Sequence, residues 1–437
     1  MNERASLPLL AGAPLTAPIA RFGGRWITRG AFLAHAEALA RALPVDHYGL
    51  NLCSDRYCFL VAFAALLLSE RVSLLPHSAA PAAIAELAVE YGAFRLEDDD
   101  VRAAGPARNS GRAIPDVPAA RGAAVLFTSG STGRPTAQVK TWGELAGFSD
   151  AALERFGLES RRHDIVATVP AQHSYGFESS ALYALRGPAV VHAGRPPLFP
   201  ADVRAALAGM RAPRILVTTP LHLEVCLRAE LDWPPLAFVL SATAPLGREA
   251  AAAAERSLGA PVLEIYGSSE TGAIASRRTT TDVTWRPYAG IRLSQAGENL
   301  RVAAPFLPRP RRLADRFVLG ADGCFEWRGR REDQVKIAGK RTTLAELNAR
   351  LLAVAGVQEG GFVLPDKQRK RLAAVVVAPG LTVCEIRERL AESLDPVFLP
   401  RPLVKVSALK RTATGKLARA ELLAHIGART RESTLVS

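Results

Sequence analysis

The segment Phe127-Thr-Ser-Gly-Ser-Thr-Gly-Arg-Pro packs four hydroxyls and two glycines into residues 128–133. Glycine lets a backbone approach a ligand closely, and consecutive amides and hydroxyls can surround phosphate oxygens. The segment follows an apolar run, so it reads as a phosphate loop; a hydroxyl-rich surface turn is the alternative. It is not the G-x-x-x-x-G-K-S/T loop of the other large nucleotide-binding class. A second constellation is Tyr266-Gly-Ser-Ser-Glu-Thr-Gly, again directly after an apolar run. A tyrosine at a strand end can stack on a flat base, and the carboxylate of Glu270 can hold the Mg²⁺ that accompanies ATP phosphates. The plainer reading of Glu270 is a helix-start carboxylate. Two charged segments follow, Gly329-Arg-Arg-Glu-Asp-Gln-Val-Lys-Ile-Ala-Gly-Lys-Arg and Thr412-Ala-Thr-Gly-Lys-Leu-Ala-Arg. Glycine beside lysine in a short turn can present an ammonium to a carboxylate or phosphate; by composition alone both are solvated loops.

These residues need a scaffold, and the pattern of apolar runs supplies one. Residues 31–43 and 81–90 carry apolar side chains at helical spacing, and the longest apolar run, 59–68, reads as a buried helix. Residues 123–127, 165–169, 215–218, 238–240 and 262–265 are short apolar runs bounded by turn formers, as strands are. The alternation predicts an α/β fold in which helices cover a mostly parallel sheet, and strand ends in such sheets are where ligands bind. From about Arg328 the texture changes, with a charged stretch followed by a strand at 334–337, a helix at 344–352 and a strand at 372–377. A chain of 437 residues exceeds one ordinary core, which predicts a large domain over 1–331 and a smaller α+β domain over 332–437.

In this order and spacing the four segments together resemble the superfamily of acyl-CoA synthetases, peptide-synthetase adenylation domains and luciferases, over residues 121–422. The continuation Pro135-Thr-Ala-Gln-Val-Lys-Thr-Trp and the short chain are similar to the acyl-acid–carrier protein ligases of aryl polyene and xanthomonadin pathways. The resemblance implies a large α/β domain hinged to a small mobile one. It implies two half-reactions: ATP and a carboxylic acid give an acyl-AMP, and a thiol then takes the acyl group. Thr128, Ser129, Gly130, Ser131, Thr132 and Gly133 would close on the β- and γ-phosphates. The family's Pro-Lys-Gly continuation is here Pro135, Thr136 and Ala137, so its lysine is missing, and Lys140 is the replacement at hand.

On the same resemblance, Tyr266 and Gly267 lie against adenine, Ser269 replaces a threonine near the α-phosphate, and Glu270 holds Mg²⁺. Ser241-Ala-Thr-Ala-Pro-Leu is similar to a Ser-Gly-Gly-Ala-Pro-Leu turn bordering adenine and substrate, which assigns Thr243 and Ala244 to that wall. Asp315, without the usual preceding Thr-Gly, and Arg330 are assigned to ribose or phosphate. Glu332 occupies the hinge position, Lys336 and Gly339 the loop of the thioester-forming pose, and Lys416 the near-terminal lysine of the adenylating pose. That lysine bridges the substrate carboxylate and the α-phosphate as charge develops. Pro170-Ala-Gln-His-Ser-Tyr-Gly-Phe-Glu matches the acyl-pocket segment, so that His173, Tyr175 and Phe177 form a flat-walled pocket for a hydroxylated aromatic acid, or else a packed strand end.

The net charge of +13 attracts polyanions: nucleotides, anionic surfaces, acidic proteins. No basic run is interleaved with aromatics, which argues against single-stranded nucleic acid. The acceptor is coenzyme A or the phosphopantetheine of an acidic acyl carrier protein, and charge does not separate them. The five cysteines lack metal-ligand spacing, and neither a signal peptide nor a membrane span is legible, which predicts a reducing, cytoplasmic setting. A non-catalytic adenylate-binding protein and a luciferase-type oxygenase are the rivals from other classes.

Overall fold

The computed structural model describes residues 5–76, 80–105, 113–128, 136–296, 299–313, 315–330, 334–337, 340–364, 371–411 and 417–434. The chain divides into two compact units. The first comprises Met1–Gln295, Arg301–Arg312 and Leu319–Glu326; the second comprises Ala296–Leu300, Leu313–Val318 and Trp327–Ser437. The second unit begins its main segment at Trp327 and takes in two short segments further upstream, whereas the sequence places the boundary at 331/332.

Among the described residues, the first unit is built on two large sheets, beside a two-stranded ribbon of Ser6–Pro8 and Asp116–Pro118. The larger has nine strands in the order Arg286–Pro287, Gly272–Arg278, Val262–Ser268, Phe238–Ser241, Arg214–Thr218, Asp164–Ala167, Val190–His192, Pro18–Phe22 and Arg25–Thr28. The six from Val262–Ser268 to Pro18–Phe22 are parallel, and antiparallel strands close both edges. The second sheet runs Phe94–Leu96, Tyr48–Asn51, Val72–Leu75, Gly122–Thr128 and Thr136–Thr141, parallel except for its last pair. Four of the five apolar runs read as strands lie wholly on these strands and the fifth, 165–169, starts on Asp164–Ala167 and runs two residues past it, because a strand covered on both faces by helices reads as a nearly continuous apolar run.

The run at 59–68 lies in the helix Arg56–Leu68, buried through Leu67. Its first turn is capped by Asp55, whose carboxylate accepts from the amides of Tyr57 at 2.8 Å and Cys58 at 3.2 Å. The helix Trp142–Phe156 starts with a capping box, in which Thr141 accepts from the Glu144 amide and Glu144 accepts from the Thr141 amide. Fully buried Arg29, at the start of the helix Arg29–Ala42, donates to the carbonyls of Ala11, Ala184, Leu185 and Gly187 at 2.6–3.0 Å. One guanidinium thus satisfies four carbonyls from segments far apart in sequence, and its burial pulls its pKa down to about 10.

In the second unit a sheet of Glu359–Val363, Ala373–Val377 and Leu403–Lys405 packs with the helices Leu344–Leu352 and Val383–Ser393 around a core that includes Leu347, Leu351, Phe362, Val376, Ile386 and Leu390. Its remaining helix, Arg419–Thr434, buries Leu422 and Ile426 against Val363, Val375 and Val404. No helix among the described residues is long and apolar enough to cross a membrane.

Candidate active site

Three segments singled out by sequence leave the carboxyl ends of parallel strands in the large sheet. Residues 170–177 follow Asp164–Ala167, residues 242–244 follow Phe238–Ser241, and residues 266–270 end and follow Val262–Ser268. An open α/β sheet exposes unpaired backbone groups and a crevice at that edge, which is where ligands bind.

Tyr266 meets the rings of Trp285 and Phe325 edge-on, with centroids 5.6 Å away in each case. That packing holds a partly exposed aromatic face at the strand end. The pairing with Gly272–Arg278 shifts register between Tyr266 and Gly267. A Cβ on Gly267 would collide with the backbone of Gly272 and Ala273, so only glycine fits there. The turn is held internally by the hydroxyls of Ser268 and Thr271, 3.1 Å apart, and leaves Ser269 half-buried and Glu270 exposed. Thr243 has φ +83°, in the region that favours glycine, which is why a glycine suits this turn and why a β-branched residue is strained in it. Ala244 beside it is exposed.

The hydroxyl-rich segment begins at Thr128, the last residue of Gly122–Thr128, and Thr136 on the returning strand is its register partner. Ser129, Gly130, Ser131, Thr132 and Gly133 lie outside the described residues, as do Glu332, Gly339 and Lys416. Arg330 ends the strand Phe325–Arg330, and Lys336 lies in Gln334–Ile337 opposite Arg341; their side chains are not among those described. Asp315, in the second unit, accepts a hydrogen bond from the Trp327 indole at 2.8 Å, which occupies one of its two carboxylate oxygens.

Two expectations need correcting. Lys140 was the candidate to replace the missing loop lysine at the phosphates. Its side chain is only 2% exposed and its ammonium donates to the Glu270 carbonyl at 2.7 Å, so it is committed to protein rather than offered to a ligand. Phe177 was placed in the acyl pocket, but its ring is fully buried, edge-on to Phe59 at 5.7 Å and Phe63 at 4.9 Å, and fills the core. Tyr175 is also buried, and burial drives its hydroxyl well above the usual tyrosine range. His173 alone of the three keeps a half-buried ring, its Nδ1 accepting from the Tyr175 amide at 3.3 Å as the cap of a short helical turn.

Two groups escaped the reading of the sequence. His222 places Nδ1 3.0 Å from the Thr168 hydroxyl, which lies 2.9 Å from that of Thr218, forming a polar cluster at the carboxyl ends of two central strands. Burial keeps the His222 imidazole below its ordinary pKa, so it is neutral at pH 7. Glu178, in a helical stretch that widens to π geometry over Phe177–Leu182, is buried and accepts from the Ala273 amide at 2.8 Å. Burial pushes its pKa up to about 7, against the pull of the Ala273 amide and Lys140.

Among the described residues no cluster of three histidine, cysteine or acidic side chains is poised to hold a metal by itself. A lone exposed carboxylate such as Glu270 suits Mg²⁺ delivered with a nucleotide, because Mg²⁺ keeps most of its ligands as water and phosphate oxygens.

The architecture is that of adenylate-forming enzymes. It resembles the structure of o-succinylbenzoate CoA synthetase from Bacillus subtilis in complex with its acyl-adenylate intermediate, with a TM-score of 0.77 at 18% identity over 92% of this chain and 94% of that one. Residues 31–300 match the family described as AMP-binding enzyme, more than half of the chain, and the protein belongs to that family. It is 27% identical over 361 residues to an isonitrile lipopeptide synthase of Streptomyces coeruleorubidus, covering 69% of this chain and 23% of the relative. It is 24% identical over 348 residues to a probable CoA ligase of Humulus lupulus, covering 69% of this chain and 63% of that one. The chain thus spans less than a quarter of the first of these relatives and less than two thirds of the second.

Proposed function

We propose that the protein activates a carboxylic acid with ATP as an acyl-AMP and passes the acyl group to a thiol. The observation that carries this reading is the Tyr266–Glu270 turn at the carboxyl edge of the large sheet, in a chain of the AMP-binding family. In the first step a carboxylate oxygen attacks the α-phosphorus of ATP and pyrophosphate leaves. In the second a thiolate attacks the carbonyl of the mixed anhydride and AMP leaves. Neither step needs a protein nucleophile; both depend on positioning and on charge stabilisation.

Tyr266 and Gly267 lie against adenine beside the Thr243–Ala244 turn, Ser269 lies near the α-phosphate, and residues 128–133 close on the β- and γ-phosphates. Asp315 and Arg330 reach the ribose or phosphate. Glu270 holds Mg²⁺, which screens the phosphate charges when bound. Lys416 bridges the carboxylate and the α-phosphate in the first step, and Lys336 serves in the second, after the C-terminal region pivots about Glu332. The acid is a hydroxylated aromatic one, met by the half-buried His173 with the polar cluster of His222, Thr168 and Thr218 nearby in the sheet order. The thiol is the phosphopantetheine of an acidic carrier protein, a choice supported over free coenzyme A by the likeness to a lipopeptide synthase; the net charge of +13 suits either acceptor.

Pyrophosphate release measured across aryl and fatty acids, with coenzyme A and a holo carrier protein as alternative acceptors, tests each part. Lys416→Ala is expected to slow acyl-AMP formation by on the order of a hundredfold or more while sparing thioester formation from supplied acyl-AMP. Equal losses in both half-reactions refute that role. Turnover of long-chain fatty acids with no response to hydroxybenzoates or hydroxycinnamates refutes the aromatic substrate.

A further inference from the structure

The turn that carries Glu270 is gripped on both sides by buried charge. Lys140 reaches it from the strand Thr136–Thr141, the strand that returns from the hydroxyl-rich segment, and donates to the Glu270 carbonyl at 2.7 Å. Glu178 reaches it from the π-helical stretch and accepts from the Ala273 amide at 2.8 Å. The two contacts fall three residues apart and bracket the tightest part of the hairpin, where Gly272 takes φ +72° and its Cβ position faces the Phe148 ring. Lys140 also lies 6.0 Å from the centre of that ring.

Burying a lysine is costly unless its charge is matched. Here Glu144 and Glu178 act on Lys140 as the principal favourable charges, and Glu144 is itself held by the Thr141 amide at 2.9 Å and by Arg311 at 3.0 Å. A charge set of this kind, spent on one carbonyl and one amide of a single turn, specifies the position of that turn. A hydrophobic filler of equal volume would occupy the space but would not choose the backbone geometry.

We propose that Lys140 and Glu178 are positioning residues for the Glu270 carboxylate: Lys140 ties the Glu270 turn to the strand Thr136–Thr141, and Glu178 fixes the far side of that turn. The proposal rests on the reading of Glu270 as the carboxylate that meets the metal of MgATP.

The test is calorimetric titration of the full chain with ATP in the presence of Mg²⁺ and again in EDTA. In the parent, Mg²⁺ is expected to strengthen ATP binding. Lys140→Met is expected to lower affinity for MgATP at least tenfold and to change affinity for metal-free ATP by less than about twofold. The double variant Lys140→Met/Glu178→Gln removes both buried charges. It is expected to recover thermal stability relative to Lys140→Met without recovering MgATP affinity, whereas a merely structural pair recovers both together. A parent that binds MgATP and a stable Lys140→Met or double variant that binds it equally well overturn the proposal alone. A parent that binds no ATP overturns the reading beneath it as well.

Discussion

Replacing Arg56 with methionine tests how a single buried guanidinium shapes the proposed acid side of the site. The side chain is 2% exposed, and it donates to the carbonyl of Ala167 at 3.1 Å, that of Val169 at 2.7 Å, and the Ser180 hydroxyl. Burial draws its pKa down to about 10, opposed by Asp55, so it stays charged at neutral pH. Methionine keeps much of the apolar stem and removes every donor. Each buried acceptor left unpaired costs about 1–3 kcal/mol, and breaking a buried charge arrangement about 3–5 kcal/mol, so a loss of about 3–5 kcal/mol is expected. At roughly 2–4 °C per kcal/mol for domains of about 150–250 residues, and less for a larger unit, the first unfolding transition falls by about 5–10 °C. The carbonyls lie at the end of the strand that leads into Pro170 and His173, so KM for the acid should rise more than KM for ATP. Circular dichroism melts and steady-state kinetics on the two purified proteins supply both readouts. A methionine variant within about 0.5 kcal/mol of the parent refutes the reasoning, since that is the range of surface substitutions that break no buried contact.

Thr243→Gly is expected to raise stability by about 1 kcal/mol, the strain of a β-branched residue at φ +83° less the entropy that glycine loses on folding; a less stable glycine variant in urea titration contradicts this. Glu178 has a folded pKa of about 7, above the ordinary 4.5, so the stability it allows is fully present below about pH 4.5 and is lost as pH rises through 7. Relative to Glu178→Gln, the parent should therefore weaken by on the order of 1–3 kcal/mol between pH 5 and 8, and parallel stability profiles would show that the carboxylate titrates normally. Glu332→Pro is expected to retain acyl-AMP formation while thioester formation falls steeply, because proline fixes φ near roughly −65° at the proposed pivot; separate assays of the two half-reactions decide it, and unchanged thioester formation rejects the pivot.

Local pattern was enough for the elements it marked and for placing three of the candidate segments at strand ends. Runs such as 123–127 and 262–265 are apolar because both faces of their strands are covered, and Thr128, Gly267 and Glu270 lie at or just beyond strand ends where the chain must turn. These are properties of a few neighbouring residues, and a sequence displays them directly. What only the tertiary structure decided is which distant residues share one desolvated space. Lys140 and Glu270 are 130 positions apart, and nothing near Lys140 in the chain announces that its ammonium ends on a carbonyl rather than a phosphate. Phe177 has the composition of a pocket wall and the packing of a core residue, because Phe59 and Phe63 arrive from a helix more than a hundred residues earlier. Arg29, Arg56 and Glu178 are charged side chains that are buried, each held by backbone groups that other segments bring to it. Burial and long-range hydrogen bonding depend on strand order and on which helix covers which face, and no local window of sequence contains that information.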